Sequence, residues 1–173
     1  HSLRVPRPDE SVTLGVPNAC NSCHTDRDAK WAAKVVRDWL GRDAVGYQSF
    51  ASVFRAAESG EPSALDRLAG VAADMAQPAI VRASALARLA GSGQFTRDLA
   101  QRTSQDTSPL VRLATVQLAD MMPAEARAAV LGPLLGDATR AVRIEAARSL
   151  AGGHDQLPQE LLPRWEAASQ EYV

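Results

Sequence analysis

The chain has 173 residues with 19 Lys and Arg against 20 Asp and Glu, so its net charge of −1 offers no broadly basic face for nucleic acid. Aromatics make up only 5% of residues, while alanine and leucine dominate the apolar set, which suits closely approaching helices rather than a β-sandwich. The length suits one domain, or one domain with an appendage, and no stretch reaches the roughly 18–20 apolar residues that cross a bilayer.

Residues 1–19 hold Pro6, Pro8 and Pro17 and show no helical period. They predict an extended arm with polyproline-like stretches. Its few apolar residues (Leu3, Val5, Val12, Leu14, Val16) do not fit a helix face, so its ordering calls for an external anchor. The opening His1-Ser2-Leu3-Arg4-Val5-Pro6 has neither an initiating methionine nor an apolar signal region. It reads as a processed end or an excised piece of a longer protein.

The arm leads into Cys20-Asn21-Ser22-Cys23-His24, the most informative stretch of the chain. Both cysteines and one of only three histidines fall within these five residues. Two thiols three positions apart can form thioethers to the vinyl groups along one edge of a porphyrin, and the histidine that follows is then directed at the iron. The expected cofactor is therefore haem c, attached at Cys20 and Cys23, with His24 as proximal iron ligand. Three readings compete. A thioredoxin-like pair would want a βαβ context that is missing here. A zinc site needs four ligands, and no second C-x-x-C or H-x-x-x-H completes one. The last is two ordinary thiols beside a surface histidine. Covalent haem c is made outside the cytoplasm, so the parent protein is expected in the periplasm or on the cell-envelope exterior; a piece made in a cytoplasm would keep free thiols and lack the haem.

Thr25 and Asp26 are expected to open a helix, with Thr25 and Asp28 in the manner of a capping box, and the helix should run to about Leu40 and stop at Gly41. Trp31, Val35 and Trp39, with Ala32, Val36 and Leu40 alongside, form one broad apolar stripe. Trp31 is thus a candidate haem wall, although both tryptophans equally suit a helical core. Residues 1–45 are accordingly one region: arm, haem motif and Trp-bearing helix.

Residues 46–173 are expected to form an array. Pro78-Ala-Ile-Val81-Arg82, Pro109-Leu-Val111-Arg112 and Ala141-Val142-Arg143 place arginines 30 and 31 residues apart. Each phrase begins a helix and follows another helical run, at about Ser63–Ala73, Gln94–Thr103 and Ala124–Leu135. Gly60, Gly91, Gly93, Gly136 and Gly152 punctuate the series. A period near 30 with two helices per unit indicates an all-α fold built as an α-solenoid. The final run from Leu157 looks like the first helix of a further unit.

The Val-Arg phrase, with Asp106 and Asp137 six residues ahead of Arg112 and Arg143, resembles the short HEAT-like repeats of the phycobilisome-lyase type. The first unit departs from it, with Gln77 five residues before Arg82 and no aspartate at the matching place. The order of arm, Pro17-Asn-Ala-Cys-Asn-Ser-Cys-His-Thr-Asp, Trp-bearing helix and HEAT-like repeats resembles a segment of bacterial multihaem c-type cytochromes. There, similar segments lie between upstream haem motifs and a downstream tetratricopeptide array. The resemblance implies electron transfer in the cell envelope, with redox proteins and other haem segments of a larger parent as partners and the repeats as a partner-binding scaffold. It also implies a histidine at His1 as a candidate distal ligand, to this iron or to that of an upstream haem.

Other site assignments stay open at this level. Arg4 and Arg7 are candidate contacts for haem propionates, or simply part of a solvated arm. Besides His1, the sixth-ligand candidates are His154, Met75, Met121 and Met122, although a loop position suits His154 and core packing suits the methionines. Arg82, Arg112 and Arg143 would line up on successive helices, where a ladder of Asp–Arg pairs is a commoner use than an acidic partner. Three functions compete: an electron carrier, a peroxidase-like haem enzyme, and a protein-binding scaffold whose haem is structural or absent. No acid/base constellation supports the enzyme.

Overall fold

The computed structural model describes residues 6–46 and 48–172. These residues are all-helical, with eleven α-helices, several short 3₁₀ turns and no strand among them. No helix among them is long and apolar enough to cross a membrane. The chain divides into two compact units that meet between Ser59 and Gly60, so residues 46–59 group with the Cys20–His24 region rather than with the array.

In the first unit, the expected extended arm is corrected by a helix, α1 (Pro8–Leu14). Pro8 occupies the first helical turn, where its missing N–H would have had no partner, and Asp9 and Glu10 complement the helix dipole there. Gly15 ends it at a φ of 72°, a left-handed conformation that favours glycine. After the single turn α2 (Cys20–Cys23), α3 spans Ala29–Leu40. Its cap is Asp28, whose Oδ1 accepts from the Trp31 N–H at 2.8 Å, so the helix starts later than Thr25 predicts. Residues 25–27 instead form a turn closed by Arg27 N–H donating to the His24 carbonyl at 3.2 Å. The stop at Gly41 is as expected, with φ at 65°. Helix α1 packs on α3 and touches α4 (Ala51–Glu58), where Phe50 and Phe54 meet with centroids 5.2 Å apart.

Only part of the expected stripe on α3 is buried. Ala32 and Val36 are the buried apolar residues, Trp31 and Val35 are half-buried, and Trp39 is 81% exposed. Trp39 therefore does not fill a core.

The second unit contains three helix pairs: α5 (Ala64–Ala73) with α6 (Ala79–Arg88), α7 (Arg97–Ser104) with α8 (Pro109–Ala119), and α9 (Ala124–Leu131) with α10 (Arg140–Leu150). The last helix, α11 (Leu162–Gln170), packs on α10. Helices α6, α8 and α10 pack each on the next, as do α5, α7 and α9. Each Val-Arg phrase opens the second helix of a pair, as expected. Small residues such as Ala64, Ala85, Ala100, Ala119 and Ala146 are fully buried and let helix axes approach; Leu68, Leu86, Leu99, Val116 and Leu131 fill the space between them.

The repeat arginines are satisfied internally. Arg82 grips Asp106 through Nε (3.0 Å) and Nη2 (2.7 Å), and both side chains are buried. Arg112 grips Asp137 in the same two-pronged way, at 2.6 and 2.8 Å, and Arg143 grips Glu171 at 2.7 and 2.6 Å. The remaining Nη1 donates to a carbonyl ahead of the arginine's own helix: Gln77 for Arg82, Asp106 for Arg112 and Asp137 for Arg143. Each aspartate has a further task. Asp106 Oδ1 accepts from Ser108 N–H and Asp137 Oδ1 from Thr139 N–H, both at 2.8 Å, so one carboxylate closes the turn that leads into the next helix and holds the previous arginine. In the first pair the local half of this task falls to Asp74, whose Oδ1 accepts from Ala76 N–H at 2.9 Å.

Candidate functional site

The Cys20–His24 stretch is held by its amide neighbours. Asn18, two positions before the first residue of α2, accepts at Oδ1 from the Asn21 N–H at 3.2 Å. Asn18 Nδ2 donates to Asn21 Oδ1 at 2.8 Å and to Ser11 Oγ at 3.0 Å, tying the motif to the buried side of α1. Asn21 Nδ2 donates to the Arg27 carbonyl at 2.8 Å, closing the far side of the loop. The two variable positions between the cysteines are thus unequal: Asn21 builds the loop, while Ser22 is exposed.

Cys20 and Cys23 are free thiols, the first half-buried and the second exposed. Three residues apart on one helical turn, they share a face. The His24 N–H donates to the Cys20 carbonyl at 2.9 Å, ending the turn and setting the histidine immediately beside it. The exposed His24 imidazole meets the Trp31 ring with centroids 4.8 Å apart and planes tilted by 55°. Arg27 lies over the same indole, 5.9 Å from its centroid. Cys20, Cys23, His24 and Trp31 are therefore brought together by α2, the 25–27 turn and the first turn of α3.

These residues fit a covalent haem in donor chemistry. Among the described residues, no group of three or more His, Cys, Asp or Glu side chains converges as a metal cluster. A tetrahedral zinc site needs such convergence. Haem attachment does not, because the thiols bond to carbon and only the histidine meets the metal.

The remaining candidates are distributed as follows. His1 and Arg4 lie outside the described residues. Arg7 is engaged, its guanidinium on Asp9 at 2.8 Å and on Glu10 at 3.2 Å, so a propionate there would have two carboxylates to displace. The bond to Arg7 holds the Asp9 carboxyl below the usual range. His154, Met75, Met121 and Met122 belong to the second unit. His154 stacks on Trp165 with centroids 4.9 Å apart, Met122 is buried in the helix core, and Met75 and Met121 are exposed. The part sequence reasoning missed is the Ser11–Asn18–Asn21 clamp and the helix that carries Ser11. Pro8 with Asp9-Glu10 and a closing Gly15 was the available signal.

In comparisons with known proteins, no family model, no curated protein and no solved structure matches the chain.

Proposed function

We propose that this chain is an electron-transfer domain of a c-type cytochrome, carrying one haem c on Cys20 and Cys23 with His24 as the proximal iron ligand. The observation that carries this reading is the placement of two free thiols on one helical turn, with His24 directly after them and against Trp31. When bound, the haem supplies a one-electron iron couple. The chain's own residues do the rest. The thiols tether, His24 orients on the iron side, and the Trp31 indole provides an apolar wall beside the imidazole. Asn18 and Asn21 keep the loop in one conformation.

The thin apolar interior of the first unit supports the same reading. Among its described residues only Ala32, Val36 and Pro8 are buried apolar side chains, while Val12, Val16, Trp39 and Val45 stay exposed. A porphyrin would supply the missing apolar area. His1 is the proposed distal ligand, to this iron or to that of an upstream haem.

The second unit is proposed as a HEAT-like α-solenoid that docks redox partners. Its paired helices, and the arginine that bridges each unit to the next, support this assignment. The parent is proposed to be an exported multihaem protein of the periplasm or envelope exterior. Expression with a haem c maturation system tests the reading: a pyridine haemochrome spectrum of the c type should appear, and a low-spin six-coordinate iron would favour transfer over catalysis.

A further inference from the structure

A cavity of about 790 Å³ opens in the second unit between α9 and the segment joining α10 to α11, within the range of roughly 300–1,000 Å³ usual for small-molecule sites. Its apolar lining includes Ala128, Leu150 and Leu157, all buried, and Leu161. Gly132 permits this arrangement, because a Cβ there would stand 2.7 Å from Leu161 Cδ1.

The inner wall carries positive charge that the protein compensates incompletely. Arg127 donates from Nη1 to the Ser149 carbonyl (3.0 Å) and from Nη2 to the Met122 carbonyl (3.2 Å), while its buried Nε finds no partner. Its one ion pair among the described residues is to Asp120 at 4.0 Å, and Asp120 is held more closely by Ser149 Oγ (2.5 Å) and Arg148 (2.8 Å). Arg164, also lining the cavity, is exposed and has no ion pair among the described residues. Glu125 and Glu160 are exposed lining residues, where water screens them, whereas Arg127 is three-quarters buried. The less screened, inner charge is therefore positive.

We propose that this cavity binds an amphipathic organic acid, with its apolar body on Leu150, Leu157 and Leu161 and its carboxylate drawn to Arg127 and Arg164. The site is independent of the haem motif and lies wholly within the helical array.

Titration of the full chain with decanoate, decanol and decylamine, followed by methyl NMR, tests the assignment. The methyls of Leu150, Leu157 and Leu161 should shift with decanoate, which should bind about tenfold more tightly than decanol or decylamine. Ala129 is an exposed lining residue, so Ala129→Trp fills the cavity from outside and should abolish the shifts at unchanged melting temperature. Arg164→Glu should weaken decanoate and not decylamine. Equal affinity for the three probes, or decanoate binding unchanged in Ala129→Trp, would overturn the proposal.

Discussion

Gly60 to Tyr172 and the residues before them treat apolar surface in opposite ways. In the helical array, leucines, valines and small alanines are buried between helix pairs, and the row of repeat arginines is closed by bidentate carboxylates. Up to Ser59, three short helices and one longer one bury little more than Pro8, Ala32 and Val36 among the described residues, and Trp39 and Val45 stand more than four-fifths exposed. A unit this small rarely supplies enough core by itself and commonly relies on a metal, a cofactor or a covalent staple. The difference teaches that the array buries its apolar side chains within itself, whereas the first unit leaves Cys23, His24 and Trp39 exposed and buries few apolar side chains.

The strongest way to break this contrast is to open the array. Arg82→Ala leaves Asp106 buried without its cation, and loss of one partner of a buried pair costs about 3–5 kcal/mol. Chemical denaturation should show that loss in the array; a change under about 1 kcal/mol would mean that the ladder is ornamental. Acid should act in the same direction. The Arg112 bond holds the Asp137 carboxyl below its usual range, as the Arg143 bond does for Glu171. Both pairs stabilise the fold fully above the ordinary carboxylate range, and that contribution fades as pH falls through it toward the lower folded values. Denaturation midpoints that did not fall with pH across that window in the wild type, relative to Arg112→Met, would contradict the assignment.

Smaller effects belong to the first unit. Asn18→Ala removes bonds to Ser11 and to both ends of Asn21, and should cost about 1–2 kcal/mol and speed amide exchange at residues 20–24. Unchanged exchange there would show that the loop is held by other means. Trp39→Ala should change the stability of the haem-free protein by no more than about 0.5 kcal/mol, since the side chain is 81% exposed. A larger loss would place the indole in a core after all.

The legible features were those encoded by local rules. Gly41 stops α3 because a left-handed residue must follow, and Pro78, Pro109 and the Val-Arg phrases mark helix starts through missing donors and 3.6-residue spacing. The aligned arginines suggested a ladder of Asp–Arg pairs, but its two-pronged geometry and its last acceptor, Glu171, one helix further on, are set by packing. Other features failed for physical reasons. The prolines of the arm suggested extension, yet Pro8 sits at the one helical position that tolerates it. The Trp31–Val35–Trp39 line is a true helix stripe, but α1 packs beside it, where Ala32 and Val36 offer a flatter surface. The Asn18–Asn21 clamp joins two helices through side-chain amides, which have no periodicity to read. The motif residues themselves were plain, because Cys20, Cys23 and His24 need only their neighbours in sequence to meet.

The central claim is that the first unit carries covalent haem at those three residues. It is tested most directly by the intact mass of the chain made in a host with haem c maturation, beside Cys20→Ala and Cys23→Ala. The account predicts a gain of one haem for the wild type that survives denaturation, and weakened or abolished retention in each variant. A wild-type chain without added mass under those conditions would contradict it.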